Sequence, residues 1–275
     1  MTSNERNKRA LAAGQSESGQ SEADTPPRRP DGFRERGQQV TRVEAFVDAA
    51  FAFAVTLLVI SGTGDNIGSI PELTDALKDI PAFAASFAMV AMVWFAHHQW
   101  SRRFGLDDHS SVIRSLVLVF FVLVWIFPLR MMFRAAFAWV SGMMLPRDSA
   151  LRIDFPFVLS REDAWGDLRL TFIIYALAWI TLSLSIAGLY AHSWRLRDSL
   201  DLDDEERVGT RCEIARWRFS ALVGALSIAI AIVLEPRAGW MWGLPGMAYF
   251  AMSFTGVVQS VAERRARKAL PASTG

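Results

Sequence analysis

A run of apolar residues long enough to cross a bilayer, with a carboxylate set inside it, constrains this chain most. Arg42-Val43-Glu44-Ala45-Phe46-Val47-Asp48 passes without a break into Ala49-Ala50-Phe51-Ala52-Phe53-Ala54-Val55-Thr56-Leu57-Leu58-Val59-Ile60. A hydrocarbon core of about 30 Å takes about 20 apolar residues in helical form. Asp48 lies about two turns inside the charged edge of the run, at 3.6 residues per turn. On insertion scales a charged group costs roughly 2.5–3.5 kcal/mol at the centre of a span and less near its ends. A carboxylate held there therefore faces protein or water, and such groups often mark an ion or substrate path.

One such run would be weak evidence, but five more apolar blocks follow it. The hydrophobic share of 52% is little above the roughly 45–50% of soluble domains, so the distribution carries the argument. The blocks fall at about 43–61, 80–104, 112–132, 168–192, 217–234 and 239–261. They predict an all-α, polytopic membrane protein with six transmembrane helices. Ten Trp and nineteen Phe suit a chain with aromatic residues at the membrane interfaces. The first block ends at Ser61-Gly62-Thr63-Gly64, and the fifth at Glu235-Pro236, both helix-stopping clusters.

Basic residues near the block ends set the expected orientation. Arg34, Arg36 and Arg42 precede the first block, Arg102 and Arg103 follow the second, a group from Arg195 to Arg218 lies between the fourth and fifth, and Arg264, Arg265, Arg267 and Lys268 follow the sixth. With six spans all four groups share one side, so both termini are expected in the cytoplasm and the protein in the cell membrane as a multi-pass chain. The exception is the region around the third connection, where Arg130, Arg134, Arg147, Arg152 and Arg161 are interleaved with acids. That connection, about 135–167, has room for a short helix on the outer interface. Residues 1–39, rich in Ser, Gln, Glu, Arg and Pro, read as a disordered cytoplasmic tail. Residues 40–265 read as the membrane domain and 266–275 as a second disordered tail.

Several classes of function are excluded. A formal net charge of +1 implies no basic face for nucleic acid. The single cysteine, Cys212, excludes an intrachain disulfide, and its neighbours suggest a charged loop. No Cys and His spacing resembles a zinc site, no other metal set is apparent, and no cofactor is implied. No nucleophile, phosphate loop or paired-carboxylate constellation suggests an enzyme. The acidic run 201–206 reads as a solvated loop. Thr171, Thr181, Ser183 and Ser185 suit close helix packing in the fourth block.

On a helical wheel of about 100° per residue, Phe46, Ala49, Phe53, Thr56, Leu57 and Ile60 fall near one stripe, with Asp48 about 140° from Phe53. The carboxylate and the stripe thus look in different directions. The second block should run antiparallel to the first, and its charged end carries Trp94, His97, His98 and Trp100 at a depth similar to Asp48. Those side chains can donate hydrogen bonds to a buried carboxylate, so a polar clasp between the two helices is expected. His97 and His98 are neighbours and so point about 100° apart, which does not favour a shared metal. Histidines there also leave room for pH sensing.

The first block resembles the signature of the transmembrane protein 175 family of potassium channels, prokaryotic and lysosomal. That signature is an Arg, three residues, Phe-Ser-Asp-Gly, then an apolar run with Thr-Leu-Leu, and Arg42, Phe46, Asp48, Thr56, Leu57 and Leu58 match it. The second block is similar to the family's second helix through Ser86-Phe87, Trp94 and His97-His98. The third, from Arg114-Ser115-Leu116 to Phe127-Pro128, is similar to its third helix. The resemblance covers about 42–132, and the later blocks agree in number and placement. It departs where the family Ser is Val47, the family Gly is Ala49, and the usual Ile of the inner ring is Phe53.

The resemblance implies a homotetramer with one central pore between subunits, lined by the first helix and constricted by rings of apolar side chains. The ring positions carry over to Phe53, Leu57 and Ile60, with Thr56 adding a hydroxyl. Arg42, Phe46, Asp48, Trp94, His97 and His98 would form the clasp. The expected function is passive potassium conduction gated by those rings, since apolar constrictions close a pore by dewetting. Two alternatives stand beside it: a proton-leak channel of the same fold, and a non-conducting membrane scaffold that presents its N-terminal segment to partners.

Overall fold

A computed structural model describes residues 27–61, 69–146, 148–156, 159, 162–236 and 239–269. Among the described residues five helices are long and apolar enough to cross a membrane. They are α1 (Arg42–Ile60), α3 (Ile80–Phe104), α4 (His109–Met144), α5 (Ala164–Arg195) and α6 (Asp204–Val233), with the short α2 (Ile70–Lys78) between the first two. The sixth apolar block differs from the expected single helix. It runs as a 3₁₀ turn (Gly239–Gly243), α7 (Leu244–Met247), a second 3₁₀ stretch (Ala248–Phe254) and α8 (Thr255–Lys268), and from α7 onward it lies along α6. Gly239, Gly243, Pro245 and Gly246 crowd its first half, and glycine and proline are the poorest helix formers. The protein is thus an all-α polytopic membrane protein with five clear spans and a further C-terminal helix.

Four of the five long helices start where the sequence offers a side-chain cap. Thr41, Asp108, Asp163 and Asp203 each accept a hydrogen bond from a first-turn amide, meeting one of the donors that a helix start leaves unpaired. At its other end α3 stops at Gly105, which adopts φ +58°, a left-handed conformation that glycine tolerates best.

Two long helices exceed their apolar blocks. The block at 112–132 became α4, which continues through Pro128 to Met144 and removes the expected break at 135. Proline deletes one amide donor, but the helix tolerates it where neighbours pack around it. The block at 217–234 became α6, which begins at Asp204 in a capping box between Asp203 and Glu206. Cys212 is therefore on a helix rather than in a loop, half-buried, with Sγ 3.8 Å from the Gln259 carbonyl. The acidic run is not a solvated loop either, because Glu206 is fully buried.

The helices pack in sequence order. α1 lies against α3 and α4, α4 against α5, and α5 against α6. The core draws Val47, Phe51, Ala54 and Leu58 from α1, Val93 and Trp100 from α3, and Leu118 and Ile126 from α4. Lipid tails are as apolar as leucine, so association in a bilayer relies on close packing and buried polar contacts. At the α5–α6 seam Ala176 and Ser183 are fully buried. A Cβ on Gly224 would lie 2.8 Å from Ile180 Cγ1. Of the hydroxyls expected to serve packing, Ser183 lies on that seam, 3.4 Å from Ser220 Oγ. Thr181 accepts the indole N–H of Trp125 at 3.0 Å.

The tail expected over residues 1–39 divides. Residues 1–26 lie outside the described residues. Residues 27–39 are packed on the end of α3, the α5–α6 connection and the start of α6 as an irregular strap. Phe33 is buried edge-on to Phe104. Arg36 forks onto Glu206 at 2.7 and 2.8 Å, and the Gly37 amide donates to the Arg102 carbonyl at 3.1 Å. The strap leads directly into α1.

Candidate functional site

The first helix has two opposed faces. Glu44, Val47, Phe51, Ala54 and Leu58 are buried against α3 and α4. On the other side Phe46, Phe53 and Ile60 are 56%, 55% and 59% exposed, and Ala49 and Thr56 are exposed with them. Leu57 sits at the margin, half-buried and in contact with the core. The stripe expected from the sequence is therefore the face that the rest of the chain leaves uncovered. Thr56 donates its hydroxyl to the Ala52 carbonyl one turn earlier at 3.1 Å, which leaves the oxygen's lone pairs on the uncovered face.

On the covered side lies the polar contact between helices. Trp94 Nε1 donates to Asp48 Oδ1 at 2.8 Å, a hydrogen bond to a charged acceptor and so among the stronger kind. The Trp94 indole also stacks on His98, with centroids 5.4 Å apart and planes at 21°. His98 in turn reaches Glu44, with Nδ1 3.7 Å from Oε1. His97 turns the other way and meets Ser115 Oγ of α4 at 3.0 Å, in a buried site. The two histidines thus tie α3 to different helices. Among the described residues no group of three His, Cys, Asp or Glu is placed to hold a metal ion.

Three expected members are not brought to this contact: His97 goes to Ser115 instead, and the other two stay on the surface of α1. Arg42 and Phe46 both lie on exposed positions of α1. In their place stands a residue that the sequence reading passed over, Glu44, only 3% exposed. It lies between His98 and Arg102, whose Nε is 3.7 Å from the same oxygen. Arg102 also donates to the Gly37 carbonyl at 2.6 Å, joining α1, α3 and the strap. A usable signal existed: Glu44 is four residues before Asp48, so both acids fall on one helix face. Ser115 was part of the third-block motif, but nothing in a sequence said that His97 would reach it.

Around the strap a second web of charge is built. Besides Arg36, Glu206 Oε1 accepts the backbone amide of Arg34 at 2.8 Å. Arg103 lies against the Phe33 ring, 4.3 Å from its centroid, with Nε 3.1 Å from Asp31 Oδ2 and Nη1 3.3 Å from Glu213 Oε1. At the start of α6, burial raises the Asp203 carboxyl's pKa. Hydrogen bonds from the Glu206 amide and Arg28, with the nearby arginine charges, outweigh that and hold it below the ordinary 3.8. A cavity of about 890 Å³ lies elsewhere, between α3, α4, α5 and the C-terminal segment, with almost wholly apolar walls and no residue of α1 among them.

The fold and this site define a class: a polytopic α-helical membrane protein whose first span is anchored from behind by a carboxylate and presents a bare apolar stripe in front. Comparison with known proteins gives the family. The model of the endosomal/lysosomal potassium channel TMEM175 matches residues 42–128. A potassium channel of Marivirga tractuosa is 30% identical over 226 residues, spanning 79% of this chain and 85% of the relative. A potassium channel of Streptomyces collinus is 24% identical over 212 residues, 76% of this chain and 90% of its own. Among solved structures, a variant of the potassium channel MtTMEM175, crystallised with a nanobody–MBP fusion, superposes with a TM-score of 0.71 at 24% identity, over 88% of this chain and 100% of that one. The chain belongs to the TMEM175 family.

Proposed function

We propose that the protein is a potassium channel that conducts passively through a pore formed between four copies of the chain. The first helices line that pore with Phe53, Thr56, Leu57 and Ile60. The carrying observation is the face of α1 on which Phe53 and Ile60 stand more than half exposed, opposite the side fastened by Asp48 and Trp94. Family membership supplies the ion, since the relatives named above are potassium channels.

In this reading the rings act as gates. Apolar side chains at a narrow point close a pore by dewetting, and a cation passes only when the ring widens enough to admit water. Phe53 is the bulkiest of the set and forms the narrowest ring. The clasp keeps the acid turned into its own protomer, so that the conduit stays apolar at that level. The 239–261 block counts as the sixth crossing. Both termini then lie on the cytoplasmic side of the cell membrane, with residues 1–39 and 266–275 beside it.

Potassium flux into liposomes, with reversal potentials measured under separate potassium and proton gradients, tests this. Expected are a reversal potential that follows potassium, larger currents in Phe53→Ala, and a tetramer in detergent. A reversal potential that follows only protons overturns the potassium reading in favour of a proton leak. No flux in either protein, or a lone protomer, overturns the pore and leaves the scaffold.

A further inference from the structure

The C-terminal turn of α1 is held by an arginine that the family signature does not include. Arg130 of α4 donates Nη1 to the carbonyls of Leu58 and Val59 at 3.3 and 3.4 Å. These carbonyls belong to the last turn of the helix, outside its own ladder of amides, and the helix end carries partial negative charge that favours a cation. Ser61 Oγ shares the Leu58 carbonyl at 2.9 Å. The same guanidinium lies 3.7 Å, through Nη2, from Asp79 Oδ2, and Arg134 Nε is 3.2 Å from Asp79 Oδ1.

Asp79 precedes α3 but makes no side-chain cap to it. It is 7% exposed, and its carboxylate is committed to the two arginines. The Phe83 ring lies on the other side of Arg130, with Cζ 5.8 Å from its centroid. The guanidinium is thus packed, paired and only 13% exposed. A planar fork can reach two adjacent carbonyls and a carboxylate together, which the single ammonium of a lysine cannot do in the same way.

We propose that Arg130 is a positioning residue for the pore: through the Leu58 and Val59 carbonyls it fixes the rotation and tilt of the last turn of α1, and so the aperture of the ring formed by Ile60. Leu58 is fully buried while Ile60 is exposed on the opposite side. A backbone bond at 58–59 therefore sets where the next exposed side chain points. The proposal rests on the pore reading for its effect on conduction, but not for its effect on the helix.

The test separates the two. In a Cys212→Ser background, Ile60→Cys and Phe53→Cys are each combined with Arg130→Gln, and thiol modification rates are measured in liposomes beside single-channel conductance. Expected is a change of at least severalfold in the Ile60→Cys rate, an unchanged Phe53→Cys rate, and an altered conductance. Arg130→Lys, which keeps the charge without the fork, should give an intermediate rate at Ile60→Cys, and it carries the test if Arg130→Gln does not assemble. Unchanged Ile60→Cys rates in the arginine variants overturn the proposal. So does an equal change at both cysteines, which would mean general loosening. A shifted Ile60→Cys rate in a protein that never conducts leaves the positioning role standing and removes the pore.

Discussion

The two ends of the first helix are fastened differently. At its N-terminal end Glu44 and Asp48 reach Trp94, His98 and Arg102, and the strap before it is pinned through Phe33, Arg36 and Gly37. At its C-terminal end, among the described residues, α4 supplies the guanidinium of Arg130 to backbone carbonyls. The first end is held by side-chain contacts on several elements, the second by the buried packing of Leu58 and, among the described residues, by one fork on the main chain.

The largest effect is expected where the strap meets α6. Removing one partner of a buried ion pair leaves the other charge uncompensated, at a cost of about 3–5 kcal/mol. Glu206 is fully buried and serves Arg36 and two backbone amides. Glu206→Ala should therefore lower the thermal midpoint in detergent sharply and expose 27–39 to trypsin at Arg34 and Arg36. An unchanged tryptic pattern would show that the strap does not depend on this pair, and the contrast between the two ends would narrow.

A smaller loss is expected at the clasp. A hydrogen bond to a charged group contributes about 1.5–3 kcal/mol, so Trp94→Phe should destabilise by roughly that amount. A double-mutant cycle with Asp48→Asn isolates the pair from the loss of indole packing. Additive losses would mean that Asp48 and Trp94 are neighbours without coupling. The N-terminal end would then rest on Glu44 and the strap alone.

Much of this geometry was legible in the sequence, and the limits have physical causes. Helix periodicity separated the buried and bare faces of α1, because burial follows the 3.6-residue repeat. Antiparallel pairing and equal depth brought Trp94 to Asp48. The strap was illegible because its composition is that of a disordered segment: it buries one aromatic, Phe33, and is otherwise held by ion pairs and hydrogen bonds with residues 65 to 175 positions away. Arg130 was visible only as an exception to the distribution of basic residues. Its value depends on Leu58 and Val59 carbonyls, and main-chain acceptors leave no mark in a sequence. The C-terminal segment is broken where one continuous helix was expected, because hydropathy counts apolar residues without weighing the glycines and proline that interrupt the α-helical pattern.

Acid should loosen the strap through Asp203. The Asp203 carboxyl has a folded pKa below 3.8. Its stabilising contribution is complete above that ordinary value and disappears as pH falls through the lower folded one. Hydrogen exchange at residues 27–39 should stay slow from neutral pH down to 3.8 and rise below it, and Asp203→Asn should remove that component of the rise. Loss of protection well above 3.8 would point to another titrating group and contradict this assignment.

The smallest effect is expected at Arg42, and it discriminates most finely between a role at the N-terminal end and mere proximity to it. Arg42 opens the signature motif, yet the structure leaves it exposed, and no side-chain partner for it appears among the described residues. Exposed substitutions away from caps and buried networks usually fall within about 0.5 kcal/mol. Arg42→Ala should leave the thermal midpoint nearly unchanged, whereas Glu44→Ala, two residues on and buried, should lower it. If Arg42→Ala instead alters conduction without altering stability, its charge acts on the pore entrance rather than on the fold. If it destabilises as much as Glu44→Ala, the fastening of the N-terminal end includes contacts made only between protomers.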